Sequence, residues 1–149
     1  MTTVKPGPVD ENRAKLIGLL NKVLKLEYSF IIHYPRLSNA IKDKKISDKI
    51  MYLSTASVAH ADTVATAITS LGGEPQWAFE PLPDISLLAI FQRQVGKEKT
   101  ALQLHQECVQ LAPDHILQQH LSKIAKEEEW HIQVATEIAD YVAAAGITF

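Results

Sequence analysis

Residues 121–138, LSKIAKEEEWHIQVATEI, set Leu121, Ile124, Glu128, His131, Ala135 and Ile138 at alternating steps of three and four. That spacing predicts the inward stripe of an α-helix in a bundle, and it extends to Leu117 on one side and Val142 on the other. Two members break the apolar pattern. Glu128 and His131 stand three residues apart, so both side chains reach one point from a single helical face. A carboxylate directed into a core needs a compensating charge. No lysine or arginine shares the stripe; Lys97, Lys123 and Lys126 fall on outward positions, and Glu127 and Glu129 read as solvated surface.

Working outward, Pro113 fits the first turn of this helix and Gly146 ends it. Upstream, Leu88, Phe91, Val95, Glu98, Leu102, His105, Val109 and Ala112 recur in heptad steps and predict another helix, with Asp84 as its N-cap. The stretch 74–83 holds Pro75, Pro81 and Pro83 with Trp77 and Phe79, a composition for an ordered crossover pinned to the bundle by its aromatics. Before it, Ile50, Leu53, Ser57, His60, Val64, Ala67 and Leu71 form a stripe stopped at Gly72 and Gly73. The first stripe runs Leu16, Leu20, Val23, Leu24, Glu27, Phe30, Ile31, Tyr34, with Asp10 or Asn12 as cap, a kink expected at Pro35 and a polar turn over 42–47. Residues 1–9 read as a loose N-terminal segment. The fold class is therefore all-α: a single domain over 1–149, built as a four-helix bundle with a long crossover between helices 2 and 3.

Composition excludes several functions. The chain has 149 residues with 15 Lys plus Arg against 17 Asp plus Glu, a net charge of -2, so no positive field draws it to nucleic acid or anionic lipid. No apolar run reaches the roughly 20 residues a membrane span requires. The opening MTTVKPGPVDENR lacks the basic flank and apolar core of a signal peptide, and one cysteine, Cys108, makes no internal disulfide; a cytoplasmic location is expected. Cys108 reads as a small buried side chain, and His33, His115 and His120 as surface residues.

Glu27, His60 and Glu98 join Glu128 and His131 on inward positions of four different stripes. Metal is the compensating charge that suits carboxylate and imidazole together, and the donor types suit iron, with another divalent metal as an alternative. The Glu-x-x-His spacing of the last helix would begin at position 57 on the second, and that position holds Ser57, a weak neutral donor. His105, seven residues after Glu98, reads best as a core histidine; a group that orients a ligand, or a substitute ligand, are the other readings.

With these motifs in order, the sequence resembles the bacterioferritin and rubrerythrin branch of the ferritin-like superfamily over nearly all of its length. That family carries a Glu on helix one, Glu-x-x-His on helix two, a Glu on helix three and Glu-x-x-His on helix four, together holding two irons. Glu27, His60, Glu98, Glu128 and His131 fill five of the six places and Ser57 stands at the sixth. Tyr34 resembles a bacterioferritin tyrosine near the metals, and His60-Ala61-Asp62 with Leu71-Gly72-Gly73-Glu74-Pro75 resembles that family's second helix and its exit. The resemblance implies a ferritin-like bundle in which Glu27 with His60 holds one metal, Glu98 with His131 the other, and Glu128 bridges. Without a carboxylate at 57, the first site is expected to be weaker, completed by water, or empty.

Departures limit what the resemblance implies. Val58 stands where bacterioferritin has its haem-ligating methionine, so haem is not expected. The sequence stops at Phe149, without the fifth helix of cage ferritins, which points to a homodimer or other small homo-oligomer. No Cys-x-x-Cys pair is present for a rubredoxin-like centre. The leading functional expectation is an iron-binding protein that oxidises ferrous iron with oxygen or peroxide at an incomplete di-iron site. Two others stay open: a degenerate module binding one or no metal and acting as a dimeric interaction or stress protein, and a di-iron oxygenase acting on an organic substrate through an apolar access cavity.

Overall fold

A computed structural model describes residues 8–147 of the chain. Four helices follow in order: α1 (Pro8–Asn39), α2 (Lys44–Ser70), α3 (Leu87–Leu111) and α4 (His115–Ala145). Each helix packs on two others, α1 on α2 and α3, and α4 on α3 and α2, so the four stand at the corners of a square bundle. No described helix is long and apolar enough to cross a membrane.

The ends of the helices are set by side-chain caps. Asp43 accepts the Ile46 N–H at 3.0 Å to open α2, Ser86 accepts that of Ala89 at 3.2 Å to open α3, and Asp114 accepts that of Leu117 at 2.8 Å to open α4. Ser86 thus takes the role expected of Asp84, and Pro113 lies just outside α4 rather than in its first turn. Asp10 and Asn12 lie within α1, which begins at Pro8, so residues 8 and 9 are helical; the rest of the segment expected to be loose lies outside the described residues. At Gly72, φ of 86° lets Gly73 N–H reach back to the Ile68 carbonyl and closes α2 with a left-handed turn.

Helix α1 continues through Pro35 to Asn39. Proline has no N–H for the carbonyl four residues back, that of Ile31, and the Ser54 hydroxyl of α2 donates to this oxygen at 3.4 Å instead. The crossover 71–86 runs along the outside of α1. Asn21 accepts the Gln76 N–H at 2.9 Å, Ser29 accepts that of Glu80 at 3.0 Å, and His33 Nε2 meets the Glu80 carbonyl. His33 is therefore buried, contrary to the surface position expected of it, because the crossover covers it; burial also lowers its pKa. Trp77 and Phe79 stand edge-on to Tyr28 but keep about half their surface in solvent.

The core falls into two apolar clusters. One gathers Phe30, Tyr34, Leu37, Leu53, Leu87, Phe91, Ile138 and Val142; the other gathers Leu16, Leu20, Leu24, Val64, Ile68, Cys108, Leu121 and Ile124. Each fully buried leucine or phenylalanine contributes about 1.5–3 kcal/mol. Cys108 is buried as expected, which pushes its thiol up to about 12. Helix α3 buries Leu87, Phe91, Gln94, Glu98, Ala101, His105 and Cys108, so its stripe shares Phe91, Glu98 and His105 with the expected one while Leu88, Val95, Leu102 and Val109 are half-buried flanks.

Candidate metal centre

Between the two apolar clusters lies a belt of buried polar side chains: Glu27 from α1, Ser57 and His60 from α2, Glu98 and His105 from α3, and Glu128 and His131 from α4. The helical period turns them all inward, since i,i+3 and i,i+7 positions share a face. All five residues expected to ligate metal are in this belt and at most 2 % exposed. His115 and His120 are exposed, as expected.

Glu128 is central. Its Oε1 lies 3.0 Å from His60 Nδ1, and its Oε2 lies 3.6 Å from His131 Nδ1. The His60 and His131 rings stack with centroids 5.0 Å apart. His60 Nδ1 is also 3.5 Å from Glu27 Oε1, and that same oxygen is 3.4 Å from His105 Nε2. Potential ligand atoms converge within 4.8 Å in two groups, His60 with Glu128 and His131, and Glu27 with His105 and Glu128. This grouping differs from the expected pairing of Glu27 with His60 and Glu98 with His131. Glu98 stands outside both groups and accepts the Tyr34 hydroxyl at 2.8 Å.

Two residues outside the expected ligand set reach the belt. His105, read as a core histidine, faces Glu27; its inward position on the Glu98 stripe was the available signal. Glu127, read as solvated surface, is half-exposed, yet its Oε2 meets His60 Nε2 at 2.7 Å. Nothing in a run of three glutamates distinguishes it.

The belt is short of partners. Glu27 Oε2, Glu98 Oε2, Glu128 Oε2, Ser57 Oγ, His105 Nδ1 and both ring nitrogens of His131 are buried without a hydrogen bond. An unsatisfied buried polar group costs about 1–3 kcal/mol, more when charged, so this concentration requires compensation. Among the described residues no lysine or arginine is buried. A divalent cation accepts lone pairs from carboxylate and imidazole alike, so the donor set fits a metal.

Without a cation, protons take its part. Burial, with the Glu128 charge beside them, raises the pKa of Glu27 and pushes that of Glu98 well above the ordinary value. Burial, reinforced by Glu98, does the same to the Tyr34 hydroxyl. Burial would raise Glu128 too, but contacts with His131, His60, Glu27 and Glu98 outweigh it and hold its pKa below the ordinary value. For His60, burial favours the neutral ring, yet contacts with Glu128, Glu27 and Glu127 prevail and raise its pKa to about 11. The belt thus favours a His60 imidazolium beside a Glu128 carboxylate, and shifts Glu27 and Glu98 toward their protonated forms.

This architecture agrees with the family comparison, in which a model of ferritin-like domains matches residues 17–144. The chain belongs to the ferritin-like family. No curated protein matches it in sequence. Among solved structures it is similar to the bacterioferritin of Desulfovibrio desulfuricans, studied for its diiron site, with 20% identity and TM-score 0.77 over 95% of this chain and 87% of that one. It is also similar to Rhodobacter capsulatus bacterioferritin, solved with a metal-free dinuclear site and haem iron, with 24% identity and TM-score 0.70 over 86% of each chain. A third is the bacterioferritin-related dodecameric thioferritin of Bacteroides fragilis, with 18% identity and TM-score 0.75 over 93% of each chain. Identities this low speak for the shared ferritin-like bundle.

Proposed function

We propose that this ferritin-like protein binds iron in the belt through Glu27, His60, Glu98, Glu128 and His131 and oxidises the ferrous form with oxygen or peroxide. The single observation that carries this reading is Glu128, shared between two converging ligand groups in which Glu27, His105 and His131 each keep an orphaned polar atom. Iron is here the substrate. Two ferrous ions supply one electron each; dioxygen takes both with two protons and leaves as hydrogen peroxide, and peroxide as oxidant leaves as two waters.

The protein's own groups prepare that chemistry. Glu128 reaches both metal positions, His60 and His131 flank it, and Glu27 brings a second carboxylate. Tyr34 fixes one Glu98 oxygen, leaving the other free to ligate. The link from buried His60 to half-exposed Glu127 connects the belt to solvent and gives displaced protons a way out. The diiron site of the D. desulfuricans relative supports iron as the metal. A small homo-oligomer in the cytoplasm is part of this proposal, and haem is not.

Ser57 favours a second reading. A neutral, unpartnered hydroxyl in place of a carboxylate suits a module that holds one metal and acts through its surface. Anaerobic titration of metal-free protein with ferrous iron, followed by admission of oxygen, separates the two. Two equivalents per chain with oxygen uptake support the ferroxidase; one equivalent without uptake supports the module.

A further inference from the structure

We propose that His105 is itself a metal ligand, taking over the coordination place that Ser57 leaves without an anion, so that Glu27, His105 and Glu128 form one of the two metal positions. This rests on the reading of the belt as a metal centre and assigns it a donor from α3 where a helix-two carboxylate is missing. His105 is fully buried and projects into the belt, its ring 6.3 Å from that of His60. One ring nitrogen lies 3.4 Å from Glu27 Oε1 and the other has no partner, so either tautomer leaves a polar atom unsatisfied. Most buried polar side-chain atoms in folded proteins have a partner, so an orphaned ring nitrogen aimed into the belt points to a ligand.

Helix geometry explains how α3 supplies two donors. Seven residues separate Glu98 from His105, two turns on one face and about 10 Å along the axis, so each serves a different end of the belt. His105 then completes the position beside Glu27, while the position beside His60 and His131 keeps Glu128.

The exchange alters the chemistry. Glu27, Glu98 and Glu128 with His60, His105 and His131 bring three negative charges, one fewer than a set with a fourth carboxylate. Two divalent ions leave an excess of one positive charge and two trivalent ions an excess of three. Imidazole also suits borderline divalent ions better than hard trivalent ones. The Glu27–His105–Glu128 position is thus a site for a divalent first-row cation, Fe2+, Co2+ or Zn2+, that discriminates against Fe3+ more strongly than a carboxylate-rich position does.

Co2+ is the probe of choice, because its visible bands and hyperfine shifts report nitrogen ligation without turnover. The full-length chain, freed of metal, is titrated anaerobically with Co2+ alongside His105→Leu and the double variant His105→Leu/Ser57→Glu. The proposal expects His105→Leu to lose one equivalent, or at least tenfold in affinity at one site, and the added glutamate to restore it. With 15N-histidine labelling, the Co2+-loaded natural chain should show three hyperfine-shifted histidine rings, a count independent of whether the leucine variant folds. Two shifted rings, or unchanged stoichiometry and spectrum in His105→Leu, would overturn the role of His105 and leave the metal centre standing. A natural chain that binds neither Co2+, Zn2+ nor Fe2+ would overturn the centre itself.

Discussion

The half-exposed carboxylate of Glu127 holds the buried ring of His60 by its Nε2 at 2.7 Å. The opposite ring nitrogen, Nδ1, is thereby turned toward Glu128 and Glu27. A carboxylate behind an imidazole fixes the ring and raises its donor strength.

Glu127→Gln should therefore weaken metal binding about 10- to 100-fold while leaving helix content unchanged. Circular dichroism and competition with a chromophoric chelator measure the two. Glu129→Gln is the control, and equal losses in both variants would reduce Glu127 to a general surface charge.

Ser57→Glu adds a carboxylate to a belt already crowded with them. Metal-free protein should lose stability, because the new charge is buried unpaired, whereas iron binding should tighten on the order of tenfold. The gap between metal-free and metal-loaded unfolding free energies then widens by about 1.4 kcal/mol at fixed iron. Unchanged iron stoichiometry and oxidation rate would remove Ser57 from the centre.

The protons held in the belt dictate a pH dependence. Glu27 and Glu98 are raised above 4.5 in the folded state, so the folded metal-free chain binds more protons than the unfolded one and loses stability as pH climbs above that value. His60 adds stability that is complete below 6.5 and lost as pH rises through about 11. Metal binding reverses the balance by displacing protons from the groups whose pKa is raised, Glu27, Glu98 and His60. Calorimetry in buffers of different ionisation enthalpy counts them, and a binding heat independent of buffer would contradict this protonation pattern.

Tyr34→Phe removes the hydroxyl that donates to Glu98 and keeps the stacking on Phe30, whose ring lies 5.4 Å away. We expect a loss of about 1–2 kcal/mol in the metal-free chain, less once metal engages Glu98. Chemical denaturation with and without Zn2+ reads the difference; equal losses in both states would place Glu98 outside the metal's reach.

Much of this was legible in the sequence. The apolar periodicity, interrupted at Gly72, Gly73 and Gly146, gave four helices and their order, and the polar intruders in the stripes marked the belt. On α3, two heptad series pass through Phe91, Glu98 and His105, and only packing selects Gln94, Ala101 and Cys108 over Val95, Leu102 and Val109. Periodicity favours the more apolar series, which is the wrong one here. His33 could not be read as buried because its cover, the crossover, comes from residues 47 positions away. Ser86 displaced Asp84 because capping depends on where the crossover releases the chain, and two cap-forming residues lay within reach.

The division of the core into two apolar clusters joined by a polar waist bears on how long the chain survives. A bundle with one continuous hydrophobic interior has no such waist; here buried polar atoms without partners gather in it, where the ligands meet. When metal fills the waist, opening must expel it, and mass action shields the chain from proteases. The metal-free chain should then be cleaved by protease faster than the metal-loaded one.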